Sequence, residues 1–528
     1  MPSRATFVIH TFNGGWATDF GQTFYGTPGD GGLIQMPFLV DAKNVYYQLD
    51  GGPVKAGGTA KLNSATLDSG GTITSLYDYF RSGTGGATTQ KRICTTSAGK
   101  LYKEDLDGVW DVLKTGLTAT AVYTYATFDD ILLIANDSGV DVPMSWDQTT
   151  FQNLAGTPPT GSLVCAHRNY AWLAGVPTLP SRLYYSVSSD PEDWTGVGSG
   201  SIDIDPDDGD RIVGLISHKN DLWVFKGPNR CSIHRITGSA PTGADAFARL
   251  PFIYGLGAVH QNMIFRFGDD IGFMSPWGTV HSLGAVNAYG DYNQSFLSVP
   301  IDTYVRTYLN LSRLKFGWAV NDPTHGYVLF GVPGINQSNN NQVLMMDYRF
   351  NPLQPRWALW DSFSWASAVF ATDAHSRKRI FAGGYTGYVW KTDQDTRTND
   401  GTAINEIVNT PYFTYGSEFK TKTLNAVSLG VVPYSTSAIT FRHRRDGNPQ
   451  QTDTGLTQGG GGGVFDTDLF DTGVFGGGGR FIPRFLELAE GGEFRSVQYT
   501  FEDTTNNSNL EVHNIGALVV AGGDSLEN

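Results

Sequence analysis

The chain has 528 residues and a formal net charge of −14, too long for one ordinary core and too acidic for general attraction to nucleic acid or anionic membrane. Hydrophobic residues make up 40% and aromatics 13%, enough for extensive burial, and 65 glycines with almost no helical periodicity point to an all-β protein rich in tight turns. The charge does not exclude DNA as something the protein merely surrounds.

Cys94, Cys165 and Cys231 are odd in number and widely spaced. They read as buried thiols in strands, not as a disulfide framework or zinc site. The start, MPSRATFVIHTF, has too short an apolar run for a signal peptide, and no stretch reaches membrane-spanning length. A soluble protein made in the cytoplasm is expected.

Residues 1–70 are glycine-rich and read as an extended arm. Within it Ala42–Tyr47 has strand character, and Asp50-Gly51-Gly52-Pro53 turns the chain into Val54-Lys55. In a propeller, Asn44–Tyr47 would complete the last blade and remove an exposed edge. An arm docked on a neighbouring molecule is the alternative.

Residues 71–398 carry a loose repeat. A strand start, a turn and an aromatic recur at Arg92…Tyr102, Asp130…Trp146, Tyr170…Tyr184, Asp221…Val224, Asp270…Val280, Gly326…Met345 and Arg379…Trp390. Successive starts lie roughly 40–55 residues apart, the period of four-stranded propeller blades. The fold class expected is therefore all-β, an irregular β-propeller of about six to eight blades; two stacked β-sandwich domains are the rival. At the centre of the pattern, Arg182–Val187, Asp210–Ile216, Asp221–Phe225 and Cys231–Ile236 read as one antiparallel meander with a hairpin turn at Asn220-Asp221. Between blades, Ser298–Leu311 gives the clearest helix, with Ser298 as N-cap and Ile301, Val305 and Tyr308 on one face.

From residue 399 to 528 the pattern changes. Lys422–Val432, Ile439–His443, Ser496–Phe501 and Val512–Val520 read as strands of a C-terminal β-sandwich. Two polyglycine runs bound residues 459–479, where Phe465, Phe470 and Phe475 punctuate an apolar-acidic projection. Such aromatics call for a partner surface.

Catalytic signatures are absent: there is no H-E-x-x-H, G-x-S-x-G, Walker A or CxxC sequence. The acidic run Asp203–Asp210 resembles a calcium loop, but Asp208 and Gly214 stand where an EF-hand needs Gly and Glu, so it reads as a solvated turn. Ser188…Asp190-Pro191…Trp194 resembles the Asp-box of sialidase propellers, yet Glu192 replaces its glycine, so a structural turn with Trp194 packed on its blade is expected. Arg377-Lys378-Arg379 and Arg442-His443-Arg444-Arg445 are short basic clusters, read as solvated faces that could also touch a phosphate or an acidic subunit. No enzymatic activity and no catalytic, cofactor-binding or metal-ligating residues are expected.

Three parts of the chain together carry a resemblance. The arm has Gly14-Gly15 and Ala42-Lys43-Asn44…Asp50-Gly51-Gly52…Lys55…Gly57; the centre has Arg182…Ser186…Asp190-Pro191…Trp194 and Asp210–Leu215…Asp221–Phe225; the end has Lys422 and Phe494–Tyr499. The whole resembles the propeller-bearing nozzle or tail-hub proteins of short-tailed bacteriophages. That resemblance implies a virion structural protein of the tail, a hexameric ring that extends the DNA channel, retains packaged DNA and lets it pass on ejection. It implies tail adaptor and fibre or needle proteins as partners, DNA passing without specific binding, and no cofactor. A propeller that binds or cleaves surface glycan is the alternative function.

Overall fold

The computed structural model describes residues 4–9, 12–19, 23–24, 38–83, 88–285, 296–394, 396–415, 419–432, 438–453, 482–487, 492–506 and 508–521. The aromatic projection expected at 459–479 lies outside them. Among the described residues, seven antiparallel sheet units surround one axis. The first four are four-stranded and span Ile73–Lys114, Tyr123–Asn153, Leu163–Asp203 and Arg211–Tyr254. The fifth holds three strands between Ile264 and Ser282, with a bridge from His281 to Phe296 beside them. The sixth runs from Trp318 to Trp360, and the seventh from Ser367 to Gln394. This is a β-propeller.

Each blade meets the next through its first strand. Ile73–Ser82, Tyr123–Phe128, Leu163–His167 and Arg211–His218 lie side by side around the axis, as do Ile264–Phe267, Trp318–Asp322 and Ser367–Thr372. The fourth and fifth first strands come together at Gly214, where a Cβ would sit 2.2 Å from Ile264 Cδ1. Separate apolar clusters fill the seams. Between blades three and four, Tyr170, Trp172, Tyr185 and Phe247 pack with ring centroids 5.0–6.4 Å apart, at tilted or edge-on angles that favour aromatic pairs. Between blades seven and one, the buried Arg92 guanidinium pairs with Glu104 at 2.6 Å, lies over Phe381 and donates to Thr372 O across the seam.

Ring closure comes from the N-terminal segment, though not from the expected residues. Gly58–Lys61 is the strand added antiparallel to Val389–Gln394, the fourth of a sheet that continues into Thr398–Asn399 and Thr402–Ala403. Val45–Tyr47 instead pairs with Pro53–Lys55 as a separate hairpin. Hydrophobic alternation favoured Val45–Tyr47, whereas Gly58-Thr-Ala-Lys is chosen by fit. A Cβ on Gly58 would come within 1.7 Å of Thr396 O, so only glycine lets the strand approach.

Asp41–Lys43 lies between the sixth blade's last strand, through Leu359, and Glu406–Asn409 of the C-terminal region. One sheet therefore runs from the sixth blade into the C-terminal half. There Glu406–Asn409, Thr440–Arg445 and Val497–Asp503 form one layer. Lys422–Val431, Val512–Ala521, Ile482–Glu487 and the far N-terminal Arg4–Ile9 form the other. Leu424, Val427, Ile515 and Val519 share one core with Phe441, Tyr499 and Phe501, which makes the pair a sandwich.

Two local expectations need correction. Arg182–Tyr185 belongs to the third blade, paired with Tyr170–Ala174 and Gly200–Asp203, so the meander expected from Arg182 to Ile236 straddles a seam. Its hairpin turn is Lys219-Asn220, one residue earlier than expected, because His218 pairs with Asp221. Ser298 precedes a 3₁₀ turn and the helix Asp302–Tyr308, but it caps neither. Its hydroxyl is buried and accepts from Val280 N at 2.9 Å instead. Among the described residues, no helix is long and apolar enough to cross a membrane.

Candidate functional site

A propeller has two open ends on its axis, and here they differ. The end that carries the connections between blades opens as a funnel of about 680 Å³. Its walls come from the first strands of blades one, two, five, six and seven, and its rim from the connections at Thr72, Thr120, Asn262 and Arg313 and the turns at Ser97, Ser338 and Tyr385. Strand alternation sends Ser75 and Tyr77 toward blade two, where Ser75 Oγ meets Tyr125 Oη at 2.5 Å and the Tyr77 and Tyr125 rings stack at 5.1 Å. Burial pushes the Tyr385 hydroxyl up to about 12, even though it accepts from Asn340 N and faces Arg313. Arg313 lies 4.1 Å over the Phe316 ring; among the described residues it is the one ionisable cation in the lining, and no carboxylate lines it.

The opposite end holds a smaller recess of about 360 Å³ lined by Thr127, His167, Arg168 and Ser217. His167 is buried, its Nδ1 is 2.8 Å from Ser217 Oγ, and burial followed by Arg168 pushes its pKa down to about 4. The imidazole is neutral at physiological pH. Its Nε2 makes no hydrogen bond.

The acidic run expected to be a solvated turn is instead tied down internally. Lys226 Nζ, fully buried, donates to Ile204 O (2.6 Å), Asp205 O (2.7 Å), Asp208 Oδ1 (2.7 Å) and Ser181 Oγ (3.2 Å). Asp210 accepts from the backbone N–H groups of Asn229, Arg230 and Cys231. Asp203 takes both nitrogens of an Arg182 fork, and Asp205 takes Arg249 and Tyr254. Apart from the exposed Asp207, the carboxylates of the run are thus engaged by an ammonium, two guanidiniums and amides. Among the described residues, no group of three or more His, Cys, Asp or Glu side chains is placed to hold a metal ion.

The other residues flagged in the sequence are dispersed. Trp194 packs at the seam of blades two and three and donates to Pro191 O at 2.9 Å, as a structural turn requires. Arg379 is held by Asp373 while Arg377 and Lys378 are exposed, and in the second basic cluster His443 is buried and Arg442 pairs with Glu502. Cys94, Cys165 and Cys231 are free thiols and buried.

The arm motif proves to be a set of stitches. Asn44 donates to Asp361 and to Asn405 O, both at 2.7 Å. Gly15, at φ +61°, lies so close to blade six that a Cβ would fall 2.8 Å from Arg356 Cα. Arg356, fully buried, pairs with Asp347 and donates to Gln48 O. Lys55 lies 3.5 Å from Asp503 with both side chains fully buried. Beside that pair sits Glu406, whose two carboxyl oxygens have no hydrogen-bond partner; burial, then Asp503, drives its pKa far above the usual carboxylate range.

Sequence reasoning missed the funnel and these buried charges. The funnel draws single residues from five blades, so no linear motif exists to find. Lys55 and Lys226 each sit in a short strand between apolar neighbours, the one signal that either was buried.

The sheets together define a seven-bladed propeller, joined by its own N-terminal segment to a β-sandwich. No protein-family model matches the chain, and no curated protein matches it. Among solved structures it is similar to the WD40 β-propeller domain of Doa1 (9% identity, TM-score 0.38, covering 65% of this chain and 97% of that one). It is also similar to Raptor of Chaetomium thermophilum (10%, 0.37, 67% and 30%) and to a chain of a mitotic checkpoint complex (9%, 0.40, 70% and 99%). Those scores carry no functional argument; the propeller rests on its sheets.

Proposed function

We propose that the chain is a structural subunit of a bacteriophage tail, a nozzle or hub without catalytic activity whose copies form a ring around the DNA channel. The observation that supports this reading is the continuity of the sheet from the sixth blade through Asp41–Lys43 into the sandwich. Hydrogen bonds along one sheet, together with the buried Lys55–Asp503 pair, resist relative rotation of the two halves. A part that must hold against the pressure of packed DNA needs that stiffness, whereas an interdomain surface alone allows motion. The net charge of −14 fits a conduit, because an acidic lining repels phosphate and lets the duplex slide. Hexameric assembly, contact with adaptor and fibre or needle proteins, and residence in the virion tail belong to the same proposal.

The test is electron cryo-microscopy of particles carrying the chain, with antibody labelling to locate it. A sixfold ring with a central channel at the tail is expected. Absence of the chain from purified particles, or its presence only outside the tail, would overturn the reading.

A further inference from the structure

We infer that the axial funnel is a binding site for an acidic saccharide, a short sugar chain with a carboxylate, which it holds without cleaving. The inference does not rest on the tail reading, since a single subunit contains the whole funnel.

The chemistry of the wall sets the ligand class. At about 680 Å³ the funnel falls within the roughly 300–1,000 Å³ typical of small-molecule sites. Its rim presents the hydroxyls of Thr72, Thr120 and Ser338 and the amides of Asn262 and Asn339, and these side chains make no hydrogen bond within the chain. Hydroxyls and amides offer donors and acceptors together, which is what a polyol needs. An apolar ligand would cover these groups and leave them unpaired. Phe370 on the wall and Tyr385 at the rim supply ring surface for the C–H face of a sugar.

Arg313 sets the charge. Its Nη2 reaches Ser338 O at only 3.4 Å, its Nη1 makes no hydrogen bond, and its Nε is buried without a partner. A guanidinium held over Phe316 with donors to spare is prepared for a carboxylate. Lys315 Nζ lies 4.8 Å from the same Phe316 ring but outside the lining, so among the described residues the wall itself offers a nucleotide's clustered phosphates a single cation. Cleavage of a glycosidic bond uses two carboxyl groups flanking it, and among the described residues the lining has none.

The test uses the full chain and isothermal titration with three acidic probes: digalacturonate, a glucuronate-terminated disaccharide and sialyllactose. Lactose and cellobiose are the neutral controls. At least one acidic probe should bind saturably, with at least a roughly tenfold preference over both neutral sugars. Arg313→Gln should weaken that binding by about ten- to a hundredfold, the range of a lost charge-assisted hydrogen bond, and leave the neutral sugars within about twofold. Arg313 is a rim residue, so an unchanged melting curve is expected to accompany the loss. Asn262→Ala with Asn339→Ala should weaken acidic and neutral sugars alike. Competition by polygalacturonate would identify a polymer as the source of the ligand, and its failure would confine the site to free short sugars; the site stands in both cases. No saturable binding of any acidic probe at millimolar concentration would overturn the inference. So would an Arg313→Gln protein that keeps the acidic preference, or reducing sugar released from a bound probe.

Discussion

Replacing Lys226 by Met tests whether the acidic loop is held by one internal cation. Methionine keeps most of the aliphatic stem, so packing in the fourth blade changes little. The loss falls on four acceptors, Ile204 O, Asp205 O, Asp208 Oδ1 and Ser181 Oγ, all within 3.2 Å of the ammonium. A buried carbonyl left without a donor costs about 1–3 kcal/mol, and removing one partner of a buried ion pair costs about 3–5 kcal/mol. Taking the latter as the total, since the two figures overlap, the local opening equilibrium should rise by about two to three and a half powers of ten. Hydrogen exchange read by mass spectrometry would show it in peptides covering 204–210 and 226–232, with blade one as the internal control. Added calcium should leave the wild-type pattern unchanged, because its acceptors are already taken. Less than about tenfold acceleration, or equal acceleration in blade one, would refute the assignment of Lys226 as a local clamp.

Three further substitutions probe the stitching. His513 lies 2.7 Å from Glu511 and 2.5 Å from Asp50, and its hydrogen bond to Glu511, then the one to Asp50, raises its pKa to about 9 against burial. A raised folded pKa means stability that is full below about 6.5 and lost as pH climbs through about 9; His513→Gln should flatten the fall in melting temperature across that window. Burial, then Asp503, raises the Glu406 pKa well above the ordinary carboxylate range, so folding favours its proton and its contribution worsens as pH rises above that range. Glu406→Gln should therefore raise the melting temperature more at pH 8 than at pH 5. Gly58→Ala should displace the strand that closes the ring, by at least about 1–3 kcal/mol of overpacking, and expose the 389–394 edge to limited proteolysis.

The propeller was legible because its second strands are covered on both sides. Ile131–Asn136, Tyr170–Ala174, Asp221–Gly227 and Tyr327–Val332 are buried at nearly every position, and they stand out as apolar runs at the blade period. All seven expected repeat starts fall at these strands or at their equivalents in the other blades. Outer strands carry no such mark: Phe151–Asn153 and Trp110–Lys114 are largely exposed, so pairing and not burial defines them. Gly58–Lys61 was illegible for a different reason, since its partner lies at the far end of the propeller and its fit is steric. Asp203–Asp210 looked solvated because its counter-charges come from other strands, Arg182 before it and Lys226 and Arg249 after it. The funnel was invisible from the sequence, being a property of the ring and of no single segment.

The N-terminal stitching also sets a timetable for synthesis. Asn63 donates to Gly387 O across 324 residues, and Lys55 to Asp503 O across 448. At about 5–20 residues per second, the second partner emerges from the ribosome roughly 20–90 s after the first. Throughout that interval Gly58–Lys61 and Lys55 have no native place to go, while six blades assemble around an open ring. Non-local pairing of this kind slows folding and leaves strand edges bare. Val512–Ala521 then pairs with Arg4–Ile9, a still longer wait. Until those late partners arrive the N-terminal strands stay bare, the state in which proteolysis and mispairing find them.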